Sequence, residues 1–246
     1  MGTVSRVALA AVAVMAFAAA GLGGAVGVGE PLYPDLRTLP PVGLDLPTKQ
    51  QNGKYVLRFS NTVWNAGTGR LEIEGPIDPE APDKTLFQNA YDAPVGGEQA
   101  ARRPVDSDVL YHPDHQHYHF ADFAAYRLYQ QAKDGTYRAT SKRGVKTGFC
   151  IMDTAPVGDS PAPSGPYSAC SQELQGLSVG WGDEYRRYLP DQWVVLGRRP
   201  LKDGEYALRS TADPAGKIAE EDEGNNTAVV YFTVKDGRLS PERSRP

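Results

Sequence analysis

Four histidines occur in the chain, and all of them fall between Tyr111 and Phe120, in the run YHPDHQHYHF. They are His112, His115, His117 and His119, the last three alternating with Gln116 and Tyr118. On an extended strand successive side chains point to opposite faces, so residues spaced by two share one side. A strand here would converge His115, His117 and His119 on a single ion. Imidazole suits copper, zinc, nickel and iron, and three protein ligands leave positions open for water, oxygen or substrate. The spacing alone does not choose among these metals. The plainer alternative is a polar strand face whose histidines only hydrogen-bond. Confinement of every histidine to one short run favours a metal.

The elements that would hold such a site must come from a chain of 246 residues, enough for one large domain or two small ones. Apolar residues make up 40% and charged residues 23%, which allows a sizeable core on an ordinary surface. Net charge is −4 and no block of Lys and Arg stands out, so neither nucleic acid nor an anionic membrane surface is indicated as a partner. At the N-terminus Arg6 precedes an apolar run, Val7 to Leu22, followed by small residues. This pattern predicts a signal peptide over residues 1–29, with an uncleaved anchor as the alternative, and hence a secreted or extracytoplasmic protein. Cys150 and Cys170 fit an oxidising compartment, either paired or as free buried thiols.

Taken in order, Glu30 to Gly53 reads as a Pro-rich extended lead-in. Tyr55 to Val63 alternates as a strand, with Tyr55, Leu57, Phe59, Asn61 and Val63 on one face. Trp64 to Gly69 is turn chemistry, and Arg70 to Glu74 returns as a strand, which together predict a β-hairpin. Gly75 to Val105 is rich in Pro, Asp and Gly without a period and reads as a long functional loop or lid. Strands are expected at Phe123 to Gln130, Tyr137 to Thr140, Gln192 to Leu196, Tyr206 to Thr211 and Ala228 to Val234, with a turn at Lys133-Asp134-Gly135. Pro156 to Ser168 is a loop, and the tail from Gly237 onward is expected to be disordered. No stretch keeps a helical period. The fold class is therefore mostly β, an antiparallel β-sandwich with long loops and little helix.

Five collinear stretches then resemble the catalytic domain of the lysyl oxidase family, from about Pro34 to Val234. HQHYH, His115 to His119, is similar to that family's copper-binding segment. KTGFCIMDT, Lys146 to Thr154, resembles its lysine-bearing segment, and QGLSVGWGDEYRRYLPDQW, Gln175 to Trp193, the segment with its modified tyrosine. YPDL at Tyr33 to Leu36 and EEDEGNN at Glu220 to Asn226 resemble a calcium site built from two ends of the domain. The short form and Ala-rich leader look like a bacterial-type member, with the catalytic domain over residues 30–236 and a tail over 237–246.

The resemblance implies a copper-dependent oxidase of primary amines, whether peptidyl lysine or small amines, with dioxygen as co-substrate. Its cofactor would be lysine tyrosylquinone, formed by crosslinking Lys146 to an oxidised Tyr185. A quinone supplies the electron sink that no ordinary side chain offers for C–H cleavage beside an amine nitrogen. The products would be an aldehyde, hydrogen peroxide and ammonia. Copper would sit on His115, His117 and His119. Calcium would be held by Asp35, the Leu36 carbonyl, Glu220, Asp222, Asn225 and Asn226, oxygen donors that suit a hard cation. Asp122 and Asp153 are candidates for the base that removes the substrate proton, although a structural hydrogen bond explains either residue as well.

The chain departs from the family pattern in its cysteines. Cys150 and Cys170 match family cysteines that have other partners, and Asp114 stands where one of those partners would be, so a direct Cys150–Cys170 bond is implied. Ala125 replaces a family histidine beyond the copper strand. A different class of function also competes. NTVWNAGTG and ADPAGKIAEEDEGNN resemble adhesion-type β-sandwich modules, in which the histidines would hold a structural metal without chemistry. A zinc hydrolase ranks third, since it needs a carboxylate base beside the histidines and no HExxH pattern occurs.

Overall fold

The computed structural model describes residues 28–47, 51–75, 85–107, 109–112, 117–146, 148–159, 161–163, 165–170 and 173–240. The expected signal peptide falls almost wholly on residues 1–27, outside that set. The described residues form strands and no helix. The first three strands are β1 (Leu36–Thr38), β2 (Val42–Asp45) and the long β3 (Tyr55–Asn65). Next come β4 (Leu71–Glu74), β5 (Leu86–Tyr91) and β6 (Gln99–Val105). The histidine run contributes β7 (Val109–His112) and β8 (His117–Ala121). These lead into β9 (Ala124–Gln131), β10 (Tyr137–Arg143), β11 (Gly148–Phe149) and β12 (Ala155–Pro156). The C-terminal third holds β13 (Leu174–Leu177), β14 (Trp181–Tyr185) and β15 (Trp193–Gly197). It closes with β16 (Gly204–Ala212), β17 (Thr227–Lys235) and β18 (Arg238–Leu239).

Two antiparallel sheets make the sandwich. One is organised on β3, which pairs with β1, β2, β14 and β15, with β12 beyond β14. The other runs β10-β9-β16-β17-β18. Alternation along β3 buries Leu57, Phe59, Asn61 and Val63 on one face, as the sequence pattern predicts. That face meets Tyr126 and Leu128 of β9 and Leu208 of β16 in a single apolar cluster, with the Phe59 and Tyr126 rings edge to face at 4.6 Å. A small polar bridge crosses the same interface. The Ser210 hydroxyl lies 2.9 Å from the Thr38 hydroxyl and donates to the Asn61 side-chain oxygen at 2.9 Å.

Three sequence expectations are corrected. β3 and β4 do not form a hairpin, because β4 pairs with β5 and β13 instead. The turn between them is pressed against the lead-in. A Cβ on Gly67 would stand 2.4 Å from the Asp35 nitrogen and one on Gly69 2.3 Å from the Leu32 carbonyl carbon, so glycine is required at both. The chain therefore crosses from one sheet to another.

The presumed loop from Gly75 to Val105 contains β5 and β6, which pair with each other. Its strand character was hidden by Pro104, Arg102 and Arg103, all exposed on β6, an edge strand where proline and charge are tolerated. The tail turns back at Gly237, and β18 pairs with the end of β17.

Leu208 is 0% exposed at the centre of the five-stranded sheet. Leu208→Ala is expected to lower the unfolding free energy by about 2–5 kcal/mol, read from urea denaturation at unchanged slope.

Candidate active site

Strand β14 carries Tyr185. Its antiparallel register on β3 sets Asp183 opposite Val63 and Tyr185 opposite Asn61. Two residues apart on one strand, Asp183 and Tyr185 share the face that looks into the sandwich. The Tyr185 hydroxyl donates to the Cys150 carbonyl at 3.1 Å and accepts from the Cys150 N–H at 3.0 Å. The Phe149 ring meets the Tyr185 ring edge to face at 4.7 Å. The oxygen end is thus fixed by backbone while the residue as a whole is only half-buried.

Lys146 reaches the same place from the end of β10. Its segment is threaded by three backbone bonds: Gly144 N–H to the Tyr126 carbonyl, Val145 N–H to Trp193 and Lys146 N–H to Asp191. The Lys146 residue is only 9% exposed, and its Nζ lies 4.7 Å from the centre of the Tyr185 ring. Among the described residues no ion pair closes on this amine. Burial pushes its pKa below the usual lysine range, and the Asp183 and Asp191 charges oppose that shift only in part. A buried amine without a paired carboxylate is the form that keeps a lone pair available at nitrogen.

Asp183 is 2% exposed, and its Oδ2 is enclosed without a hydrogen-bond partner. Burial raises its pKa well above the carboxylate range, against the pull of Lys146. The Tyr185 phenol is pushed up too, first by burial and then by the Asp183 charge. Tyr126, buried beside Gln192, is raised for the same reason.

The structure places the sequence-derived candidates as follows. His119 is on β8 and 5% exposed. Strand β8 pairs with β11, and a Cβ on Gly148 would come within 3.1 Å of the His119 Cβ and 3.6 Å of its Nδ1. His119 therefore packs on the glycine two residues beyond Lys146. His112 and His117 are Cα partners in the register of β7 and β8. His115 lies outside the described residues.

Asp153 is occupied structurally: Oδ1 accepts from the Ser178 N–H at 2.9 Å and Oδ2 from the Ser178 hydroxyl at 2.7 Å. Asp122 sits at the turn after β8 with φ of 60°, its side chain 53% exposed and 3.8 Å from Lys217. The acid that shares a face with Tyr185 is Asp183, which the sequence reading passed over. Its signal was its position two residues before a tyrosine on a strand.

Elsewhere in the domain, carboxylate oxygens of Asp213, Glu220 and Glu223 lie within 4.8 Å of one another. Glu220 accepts from the Leu36 N–H at 2.6 Å and from the Asn226 amide at 2.8 Å, joining the lead-in to the loop before β17. Side-chain oxygens of Asp35, Asp213, Asn225 and Asn226 are buried here without hydrogen-bond partners. Asp222 is exposed and spends its oxygens on the Gly224 N–H and the Asn225 amide. Asp213 and Glu223 were not singled out from sequence. Cys150 and Cys170 are joined as a disulfide with their Cα atoms 5.7 Å apart.

The sequence around this site is similar to that of known proteins. The family model described as lysyl oxidase matches residues 91–240. The protein-lysine 6-oxidase of Gallus gallus is 33% identical over 119 residues, 47% of this chain and 26% of that protein. That of Sus scrofa is 32% identical over 119 residues, covering 47% and 43%. Lysyl oxidase homolog 3 of Homo sapiens is 33% identical over 118 residues, covering 48% and 14%. The chain belongs to the lysyl oxidase family. Its match spans less than half the length of each of these relatives.

A lysine with a lowered pKa binds fewer protons folded than unfolded below its ordinary value of 10.5. Stability contributed at this position therefore rises with pH up to that value. Relative to Lys146→Met, wild-type unfolding free energy should climb from neutral pH toward 10.5, by about 1.4 kcal/mol per unit of displacement. Urea unfolding across that range checks it.

Proposed function

We propose that this protein is a secreted copper-dependent oxidase of primary amines, with lysine tyrosylquinone made from its own Lys146 and Tyr185. The observation that carries this reading is the desolvated Lys146 amine 4.7 Å from the centre of the Tyr185 ring. A binding module of the adhesion type gains nothing from a buried amine against a phenol, and the burial alone is costly. Membership of the lysyl oxidase family supports the same reading, as do relatives named for protein-lysine 6-oxidation.

His115, His117 and His119 would hold copper, and the chemistry of the donors suits it. His119, packed on Gly148 two residues beyond Lys146, is in keeping with a metal close to Tyr185. Bound copper would supply activation of dioxygen for oxidation of the Tyr185 ring. The chain's own contributions are more specific. Cys150 backbone holds the phenol oxygen, Phe149 braces the ring face-on to an edge, and burial keeps Lys146 nucleophilic. Tyr185 as a residue is only half-buried, in keeping with access for a substrate amine. The substrate class is a primary amine, peptidyl lysine or a small amine, converted with dioxygen to an aldehyde, hydrogen peroxide and ammonia.

Calcium is the second cation in this reading. Asp35, the Leu36 carbonyl, Glu220, Asp222, Asn225 and Asn226 would take it, together with Asp213 and Glu223. Buried oxygens left without donors are what a hard cation satisfies. Calcium at a hundred times its dissociation constant should add about 2.7 kcal/mol to the unfolding free energy. Glu220→Gln should lose most of that gain in calcium titrations followed by thermal melting.

Tryptic mass spectrometry of copper-loaded, aerobically produced protein tests the cofactor. A single peptide joining Lys146 to Tyr185 is expected, lighter than the sum of its parts once the added oxygen is counted. Both peptides intact at full copper loading would sink the reading.

A further inference from the structure

We propose that Asp183 is the catalytic base of this oxidation, its carboxylate taking the proton from the carbon that bears the substrate nitrogen. The inference rests on the reading of Lys146 and Tyr185 as cofactor precursors. It replaces the two acids that the sequence suggested. Asp153 has both oxygens engaged by Ser178, and Asp122 stands at an exposed turn beside Lys217. Glu184 points to the opposite face of β14 and is bound to Arg186 at 3.1 Å.

Asp183 differs from all three. It lies two residues before Tyr185 on the same face, about 7 Å along the strand. It is 2% exposed, and Oδ2 is enclosed without a well-formed hydrogen bond, the Tyr185 phenol, already committed to the Cys150 carbonyl, being the side-chain donor that interacts with this carboxylate. A carboxylate kept for structure is normally bonded, as Asp153 is, because an unsatisfied buried oxygen costs about 1–3 kcal/mol and more when charged. Leucine or asparagine would fill the position more cheaply. The groups that interact with Asp183 are Lys146, Tyr185, Tyr126 and Asp153, and Asp191 interacts in turn with Lys146. Lys146 is the one cation among them. In the proposed cofactor its nitrogen is bonded to the ring and no longer carries an ammonium charge, so a strong base remains without a counter-ion. Burial also raises the proton affinity of this carboxylate, which suits a base working near neutral pH.

The step balances as follows. The C–H bond next to the substrate nitrogen breaks, and its proton forms an O–H bond on Asp183 Oδ2. The electron pair of that bond passes into the quinone ring derived from Lys146 and Tyr185, which is reduced by two electrons as the carbon is oxidised. Dioxygen later accepts those electrons, and Asp183 releases its proton to water.

The test compares copper-loaded full chains of wild type, Asp183→Asn and Asp183→Glu, with benzylamine and its α-dideuterated form as probes. Asp183→Asn is expected to form the crosslinked peptide and a phenylhydrazine adduct. Its anaerobic reduction by benzylamine should fall by about 10²–10⁴-fold. Asp183→Glu should restore part of the rate with a displaced pH profile. In the metal-free wild type, the infrared band of a protonated carboxyl should persist at pH values where surface carboxylates are ionised, and be missing in Asp183→Asn.

Reduction of Asp183→Asn at the wild-type rate overturns the assignment, as does absence of the persistent band in wild type. If Asp183→Asn forms no crosslink, Asp183→Glu decides, and a pH profile identical to wild type counts against the role. A copper-loaded wild type with neither crosslink nor hydrazine adduct overturns the cofactor reading and this role with it. A defect confined to the variant's reduction step bears on Asp183 alone.

Discussion

The packing of the Lys146 amine against the Tyr185 ring is the constraint around which the domain is arranged. Ionic lysine belongs in water, and burying its nitrogen against aromatic rings, with only Asp183 and Asp191 to offset the cost, is tolerable only when the surroundings are fixed. Both partners are accordingly on restrained backbone. β14 is hydrogen-bonded on one side to β3 and on the other to β12. The lysine segment is caught between the edges of β9 and β15 by its bonds to Tyr126 and Trp193. The two residues are far apart in sequence, so the sandwich has to be assembled before they meet.

A second set of ties fastens the lead-in. Leu36 N–H is bound by Glu220, Glu221 N–H by the Pro34 carbonyl and Ala66 N–H by the Asp35 carbonyl. Asn65 adds four bonds, accepting from the Asp35 and Gly67 N–H groups and donating to the Gly69 and Leu177 carbonyls. The lead-in, the turn after β3 and the loop before β17 thus become one polar knot. Its surplus of buried acceptors over donors distinguishes it from the satisfied network around Thr38, Asn61 and Ser210.

Much of this was legible in the residues. The alternation from Tyr55 to Val63 gave the inward face of β3, and the Lys133-Asp134-Gly135 turn gave the β9–β10 hairpin. Periodicity failed where exposure removed it, as on β6. It also failed where two strands adjacent in sequence went to different sheets, since nothing local tells β4 to pair with β13. In the site, Lys146 and Tyr185 were reachable only through resemblance, because a lone lysine and a lone tyrosine carry no spacing signal. Asp183 carried one, the two-residue step from Tyr185, but its importance depends on burial and on a missing hydrogen bond. Those are properties of the packed core rather than of the local pattern.

Cys150 is at once the backbone clamp on the Tyr185 oxygen and one end of the disulfide. The grip on the phenol therefore depends on the redox state of its surroundings. Reduction of the bond would free the Pro-rich segment that runs to Cys170 and slacken the peptide that orients the ring. Oxidising conditions would then do more than preserve the fold, for they would also set the posture of the Tyr185 side chain.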